Sequence, residues 1–344
     1  MFNKTIKIGR NIVGGSRTFI IAEIGSNHNQ SIDTAFRLMD VAKKSGADAV
    51  KFQSIKPEQL YDVCEVENSF LELLSKIELK ESWYKQIDEY AKSIDLLWFS
   101  APTYLDAVNL LCENNVELMK IASPQTYGFP QLIQAVGSTN LPTIMSTGYC
   151  DESDIEKAVK VFEATNNKNL ILLHCVAKYP TLPCEAQLNR INKLKESFNC
   201  IIGFSDHTLG SDVTVAAVAA GAKVIEKHLT LSRELDGPDH FFALEPDEFE
   251  KMVNQIRDTE RVLGSLSREL TNFEFEFRDT IVTKVFAKED ILQGENISSN
   301  KIGFKRCEIQ DAITSWDYYQ SSEFVAKKKI IKGEFITENC VGRS

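Results

Sequence analysis

Two stretches of the chain place acid–base and metal-binding side chains where a hydrophobic run ends. "IIGFSDHTLG" (201–210) begins as a buried strand and closes on Ser205, Asp206, His207 and Thr208. "KVIEKHLTL" sets Glu226, Lys227 and His228 into a second apolar run. At the ends of adjacent strands, His207 and His228 could present two imidazoles to one divalent cation, Mn2+ or Mg2+, leaving positions for substrate and water. Asp239, in "DGPDHFF", could be a third ligand or could orient an imidazole. Lys51 in "DAVKFQS" and Lys120 in "ELMKIASP" supply two ammonium groups, which with nearby hydroxyls form a cage for a phosphate-bearing substrate. A Lewis acid beside a bound phosphate suits carbon–carbon bond formation between a phosphorylated enol and a carbonyl.

The elements that must position these groups follow one repeated pattern. Eight short apolar runs occur: "TFIIAEIGSN", "DAVKFQS", "LLWFSAP", "ELMKIASP", "PTIMSTG", "LILLHCVAKYP", "IIGFSDHT" and "KVIEKHLT". Amphipathic stretches such as "SIDTAFRLMDVAKKSGA" and "VTVAAVAAGA" lie between them and close on Gly-Ala, as a helix C-cap should. Near-continuous apolar strands alternating with helices predict parallel pairing with both faces covered. Eight such units close most simply into an α/β fold of the (β/α)8 TIM-barrel type. An open doubly wound sheet lacks support, since no glycine-rich phosphate turn follows the first strand. A longer gap, "EQLYDVCEVENSFLELLSKIELKESWYKQIDEYAKS", is expected to add helix and loop over the barrel mouth. "TIKIGRNIVGG" reads as a hairpin ahead of the barrel.

In a barrel of this kind the C-terminal strand ends share one face, where chemistry is done. Those ends here carry Glu23 and Asn27, Lys51 and Gln53, Ser100, Lys120 and Ser123. Later strands add Ser146 and Thr147, His174 and Tyr179, Ser205 and His207, then Lys227 and His228. All five histidines, His28 and His240 included, lie at or just beyond strand ends. A single polar residue there is commonly solvated or caps the next helix. Lysines directed into a barrel interior are different, being costly unless they meet an anion.

Composition bounds the remaining possibilities. The 344 residues allow one large domain and a small one, with 26% charged and 43% hydrophobic residues. A net charge of −10 argues against a nucleic-acid surface. No run approaches a membrane span, and "MFNKTIKIGRN" has no apolar secretory segment. The eight cysteines show no CxxC pairing, and several, such as Cys112 and Cys175, fall within apolar runs. Reduced, mostly buried thiols in a cytoplasmic protein are expected.

The motifs "AEIGSNHNQS", "GADAVKFQ", "KIAS", "STG", "LLHC…YPT", "GFSDHTLG" and "VIEKHLTL…DGPDHFFALEP", in that order, resemble the bacterial sialic acid synthases, the N-acetylneuraminate, legionaminate and pseudaminate synthases. The resemblance divides the chain into a barrel (1–263), a linker (264–280, "GSLSRELTNFEFEFRDT") and a small antifreeze-like (SAF, β-clip) domain (281–344). "VFAKEDILQGENIS" and "FVAKKKIIKGEFITEN" read as two related segments of that domain. It implies metal-dependent condensation of phosphoenolpyruvate with an N-acyl aldose such as N-acetylmannosamine or a diacetamido sugar, giving a nine-carbon 2-keto acid. His207 and His228 match the metal ligands. Lys51, Lys120, Ser123, Ser146 and Ser205 match positions around phosphoenolpyruvate. Glu23, Gln53, Tyr179 and Asp239 match residues lining the sugar and the reacting centre. Arg306, in "KRCEI", matches an arginine that enters the partner subunit's site, which implies a swapped homodimer.

The chain departs from the family pattern on the sugar side. Gln125 stands where a carboxylate is usual, Ala177 replaces an asparagine, and Ala101 replaces a threonine. The Pro-Gly turn expected after Arg306 is absent. Glutamine cannot take a proton, so a possible base is lost. Two other readings stand beside the synthase: a Schiff-base aldolase using Lys120 or Lys227, and an inactive sugar-phosphate-binding homologue.

Overall fold

The computed structural model describes every residue but 63–66, 266, 322 and 344, and every other side chain but those of 68, 69 and 343. Cys64 and the middle of the insertion between the second and third strands therefore lie outside the described residues. The chain divides into two compact units, Met1–Gly264 and Ser265–Ser344.

The first unit is a ring of eight parallel strands: β1 (Phe19–Gly25), β2 (Ala49–Ser54), β3 (Leu97–Pro102), β4 (Met119–Ile121), β5 (Thr143–Ser146), β6 (Leu170–Cys175), β7 (Ile201–Asp206) and β8 (Val224–His228). They are hydrogen-bonded in the order β3-β2-β1-β8-β7-β6-β5-β4, and β3 packs against β4 at the seam. Helices cover the outside. The first, Ile32–Lys44, starts where Ser31 accepts from Thr34 N–H at 3.2 Å and buries Ala35, Leu38, Met39 and Ala42. It stops before Gly46, whose φ of +87° suits glycine.

Period-two alternation divides the strand side chains between two cores. Ile20, Ala22, Val50, Phe52, Ile202, Phe204 and Ile225 pack outward against helices. Ile21, Ala49, Phe99, Ile144, Leu173 and Val224 point into the bore, where they form one cluster with Ile6, Ile8 and Val13. Those three come from an antiparallel hairpin, Ile6–Ile8 with Asn11–Val13, which closes the N-terminal end of the bore.

The insertion after β2 contains helices Pro57–Leu60, Asn68–Ile77 and Tyr84–Ser93. The cysteines depart from expectation. Cys175, Cys200 and Cys340 are buried, but Cys112 and Cys184 are exposed and Cys150 and Cys307 are partly so. Cys112 follows buried Leu111 on helix Asp106–Glu113, and the next residue of a helix turns about 100° away from a buried stripe. No helix among the described residues is long and apolar enough to cross a membrane.

In the second unit, β9 (Thr283–Ala287) pairs antiparallel with β10 (Ile302–Arg306), and β11 (Phe324–Ala326) with β12 (Val341–Arg343). The two related segments interlock: Ile291 and Ile330 exchange backbone hydrogen bonds, both at 2.9 Å. Each segment turns at a left-handed glycine, Gly294 (φ +82°) or Gly333 (φ +89°). A short helix, Asn272–Phe277, precedes them, with Phe273 and Phe277 packed on each other at 4.6 Å between ring centroids.

Candidate active site

Two residues beyond the apolar layer, most strands change character on the same inward face. Ile21 is followed by Glu23, Ala49 by Lys51, Ile144 by Ser146, Leu173 by Cys175 and Val224 by Glu226. Leu118, just ahead of β4, is followed in the same way by Lys120. A cavity of about 260 Å³ opens over this polar layer. Of the residues expected from sequence, Lys51, Gln53, Lys120, Ser123, Ser146, Tyr179, Ser205, His207 and His228 line it. Glu23 and Asp239 stand beside them. Glu23 accepts from Gln53 Nε2 at 2.8 Å, and Asp239 accepts from Ser26 Oγ at 3.0 Å. Arg306 is carried by the second unit, exposed at the end of β10, where it lines a separate cavity of about 790 Å³ with Lys284 and Thr314.

The interior lysines already have anions. Lys51 Nζ lies 2.8 Å from Glu23 Oε2 and 3.2 Å from Glu226 Oε1. Lys120 Nζ donates to both Glu226 oxygens, at 2.9 and 2.8 Å, and Ser205 Oγ donates to the same carboxylate at 3.0 Å. All four charged groups are buried. Burial opposes ionisation of Glu226, but the charges of Lys120 and Lys51 overcome it and hold the carboxyl below its ordinary range. For Glu23 burial wins over Lys51, and its proton affinity is raised. Lys51 is raised because both carboxylates outweigh its desolvation, whereas desolvation lowers Lys120.

Gly25 makes this convergence possible. Its φ is +24°, and a Cβ there would sit 2.4 Å from Glu23 Oε1 and 3.0 Å from Gln53 Nε2.

The imidazoles stand side by side, 5.5 Å between ring centroids. His207 Nδ1 donates to Val176 C=O at 2.8 Å, which leaves Nε2 to take a proton or a cation. Burial works against its protonation, yet the Cys175 sulfur at 4.0 Å raises it above the ordinary imidazole value. His228 is pushed far below that value by burial and by the charges of His207 and Lys51. Its Nδ1 is buried without a hydrogen-bond partner, 3.8 Å from Asp239 Oδ2. A neutral imidazole with an unengaged nitrogen beside one fixed through a carbonyl fits a divalent cation. Among the described residues no cluster of three or more His, Cys, Asp or Glu side chains is arranged to hold one. Tyr179 packs on His207 at 4.2 Å and Phe242 on His228 at 4.7 Å.

Several strand-end residues face elsewhere. Lys227 does not enter the bore: it points outward to Asp206 Oδ2, 2.9 Å away. His174 also points outward, its Nε2 bonded to Ala186 C=O at 2.6 Å, and Ser100 pairs with Ser54 at 2.7 Å. Of the departures, Gln125 and Ala101 line the main cavity, and Ala177 lines a neighbouring one of about 310 Å³.

Residues 38–268 match the model of the NeuB family. This chain belongs to the NeuB family. It is 44% identical over 305 residues to uncharacterized protein MJ1065 of Methanocaldococcus jannaschii, covering 88% of each chain. It is 34% identical over 336 residues to the N,N'-diacetyllegionaminic acid synthase of Campylobacter jejuni, covering 94% of this chain and 99% of that one. The crystal structure of N-acetylneuraminic acid synthetase from Leptospira borgpetersenii superposes with a TM-score of 0.75 at 33% identity, over 81% of this chain and 98% of that one. Within this NeuB-family barrel, Glu226 is the site residue that reading the strand ends left out. The signal was available, since fixing His228 inward puts Glu226 inward and Lys227 outward.

Proposed function

We propose that the barrel condenses phosphoenolpyruvate with an N-acyl aldose to a nine-carbon 2-keto sugar acid, releasing phosphate. The observation that carries this reading is the buried Lys51–Lys120 pair, ringed by Ser123, Ser146 and Ser205 and set beside the two imidazoles. Lys51 and Lys120 take the phosphate and carboxylate of the enol, sharing their charge with Glu23 and Glu226. Ser146 Oγ, buried and without a partner, is a donor ready for the same anion. A divalent cation, Mn2+ or Mg2+, held by His207 and His228, would polarise the aldehyde carbonyl.

Enol C3 bonds to the aldehyde carbon, water oxygen adds to C2, and the C2–O bond to phosphate then breaks. Glu23 and Asp239, whose proton affinities burial raises, can hold the protons that move at the aldehyde oxygen and at water. Gln53 and Tyr179 flank the reacting centre. Arg306 would complete the sugar site of a partner subunit in a swapped homodimer, its planar donors suiting an N-acyl carbonyl.

The test is phosphate release from phosphoenolpyruvate with a panel of N-acyl hexoses, with and without chelator. One acceptor should support metal-dependent release. No release with any acceptor, or borohydride trapping of substrate on Lys120, would refute the synthase.

A further inference from the structure

Behind the two imidazoles, on the face of β7 and β8 turned away from the bore, lies a buried charge cluster that the proposed chemistry does not use. Asp206 and Lys227 stand opposite each other in the β7–β8 register, their Oδ2 and Nζ 2.9 Å apart. Both are at most 1% exposed. Asp206 Oδ2 also accepts from Thr214 Oγ1, and its Oδ1 accepts from the Thr208 N–H at 2.8 Å. Lys227 Nζ donates to the Thr208 carbonyl at 2.5 Å.

These contacts bracket the histidines. His207 lies between Asp206 and Thr208, both tied into the cluster, and His228 directly follows Lys227. Alternation turns the ion pair outward and the next pair of side chains inward, so the imidazoles form the rung above the charges. Stability alone does not call for this arrangement. The same outward face carries Ile202, Phe204 and Ile225, and a buried ion pair is commonly no more stabilising than apolar residues of equal volume. An apolar pair could not bind both the N–H and the C=O of Thr208, nor reach Thr214 on helix Asp212–Ala219.

We propose that the Asp206–Lys227 pair is a positioning device that fixes the separation and facing of His207 and His228, and thereby sets their affinity for a divalent cation. This rests on reading the two histidines as the metal pair.

The probe is Mn2+ alone, titrated into metal-stripped full-length protein and followed by electron paramagnetic resonance without substrate. Lys227→Met should bind Mn2+ about 10–100-fold more weakly, as loss of groups supporting metal ligands does elsewhere. Saturating Mn2+ should restore much of its turnover, which a merely structural defect would not allow. The double variant Asp206→Leu/Lys227→Met, folded with an apolar pair in place of the charges, should also bind weakly. Should both fail to fold, Thr214→Val, which removes one hydrogen bond to Asp206, should weaken Mn2+ a few-fold. Folded variants that bind Mn2+ within twofold of the native protein would overturn the proposal. If the native protein binds no Mn2+, or His228→Ala binds it equally, the metal reading fails separately. Crystal structures then decide the positional claim: imidazoles displaced in Lys227→Met uphold it, and imidazoles left in place overturn it.

Discussion

The lower and upper halves of the barrel bore are built by the same strands under the same alternation, yet one is oil-like and the other is a charged network. Ile21, Ala49, Phe99, Ile144, Leu173 and Val224 fill the lower half. One inward step higher stand Glu23, Lys51, Ala101, Ser146, Cys175 and Glu226. The lower half closes on the N-terminal hairpin and excludes water, so its contribution is burial. The upper half holds two cations against two carboxylates, an arrangement that costs desolvation and yields little net stability. What it yields is charge fixed in a dry place beside a cavity, where electrostatic interactions are strongest.

The sharpest way to break the comparison is to convert the upper half to the chemistry of the lower. Glu226→Leu leaves Lys51 and Lys120 with one carboxylate, and stranding one member of a buried pair costs roughly 3–5 kcal/mol. The unfolding free energy from urea titration should fall by that amount and turnover should be lost. Glu226→Leu/Lys120→Met removes a matched pair, so most of the stability should return while activity stays down by about 10²–10³-fold or more. Recovery of both together would mean that the upper charges serve the fold and not the chemistry.

The converse change is made in the lower half. Leu173→Ala opens a cavity under the polar layer and should cost about 2–5 kcal/mol by urea unfolding. The fraction that remains folded should keep kcat/KM within a few-fold, because Leu173 belongs to the apolar layer of the bore and carries no polar group toward the site.

Which half a residue belongs to was legible only in part. Lys51, Lys120, Ser205, His207 and His228 could be found because an ionisable or hydroxyl side chain at the end of an apolar strand is conspicuous. Lys227 was misplaced because Glu226, Lys227 and His228 are consecutive, and a run of three polar residues does not declare its phase. A slip of one residue reverses every side chain. The partnering of the lysines was also invisible, since Glu23 meets Lys51 through strand register and Glu226 reaches Lys51 and Lys120 across the bore from a strand paired with neither, not through spacing along the chain. Cys112 was misjudged for a related reason: an apolar run on a helix has an exposed side, whereas one on a covered strand does not.

A smaller effect is expected at the joint between strand and site. Gly25→Ala places a methyl 2.4 Å from Glu23 Oε1 at a backbone φ of +24°. Glu23 must move, and displacement of a reacting group by about 1 Å commonly costs about 10²-fold in rate. kcat should fall by that order, and the strained backbone should lower the unfolding free energy by about 1–3 kcal/mol as well. Unaltered kinetics would place Glu23 outside the chemistry.

The smallest effect concerns a polar group stranded on the apolar side. His28 follows β1 but lies outside the bore, its ring 5.4 Å from Trp83 and 6.5 Å from Phe52 between centroids. Its Nδ1 accepts from Gln30 N–H at 3.2 Å, and its Nε2 is buried without a partner. Burial, helped by the charge of Lys80, lowers its pKa from 6.5 to about 4. The folded state therefore refuses a proton that the unfolded chain accepts below pH 6.5. Stability is full above that value and drains away as the pH falls toward 4. Between pH 7 and 5.5 the loss from this one group should be about 1 kcal/mol. His28→Gln keeps a polar side chain but cannot titrate, so the difference in unfolding free energy between it and the native protein should change by that amount over the interval. A difference that stays flat would show that His28 takes up its proton in the folded barrel, and that the layer between strands and helices is wetter there than its packing implies.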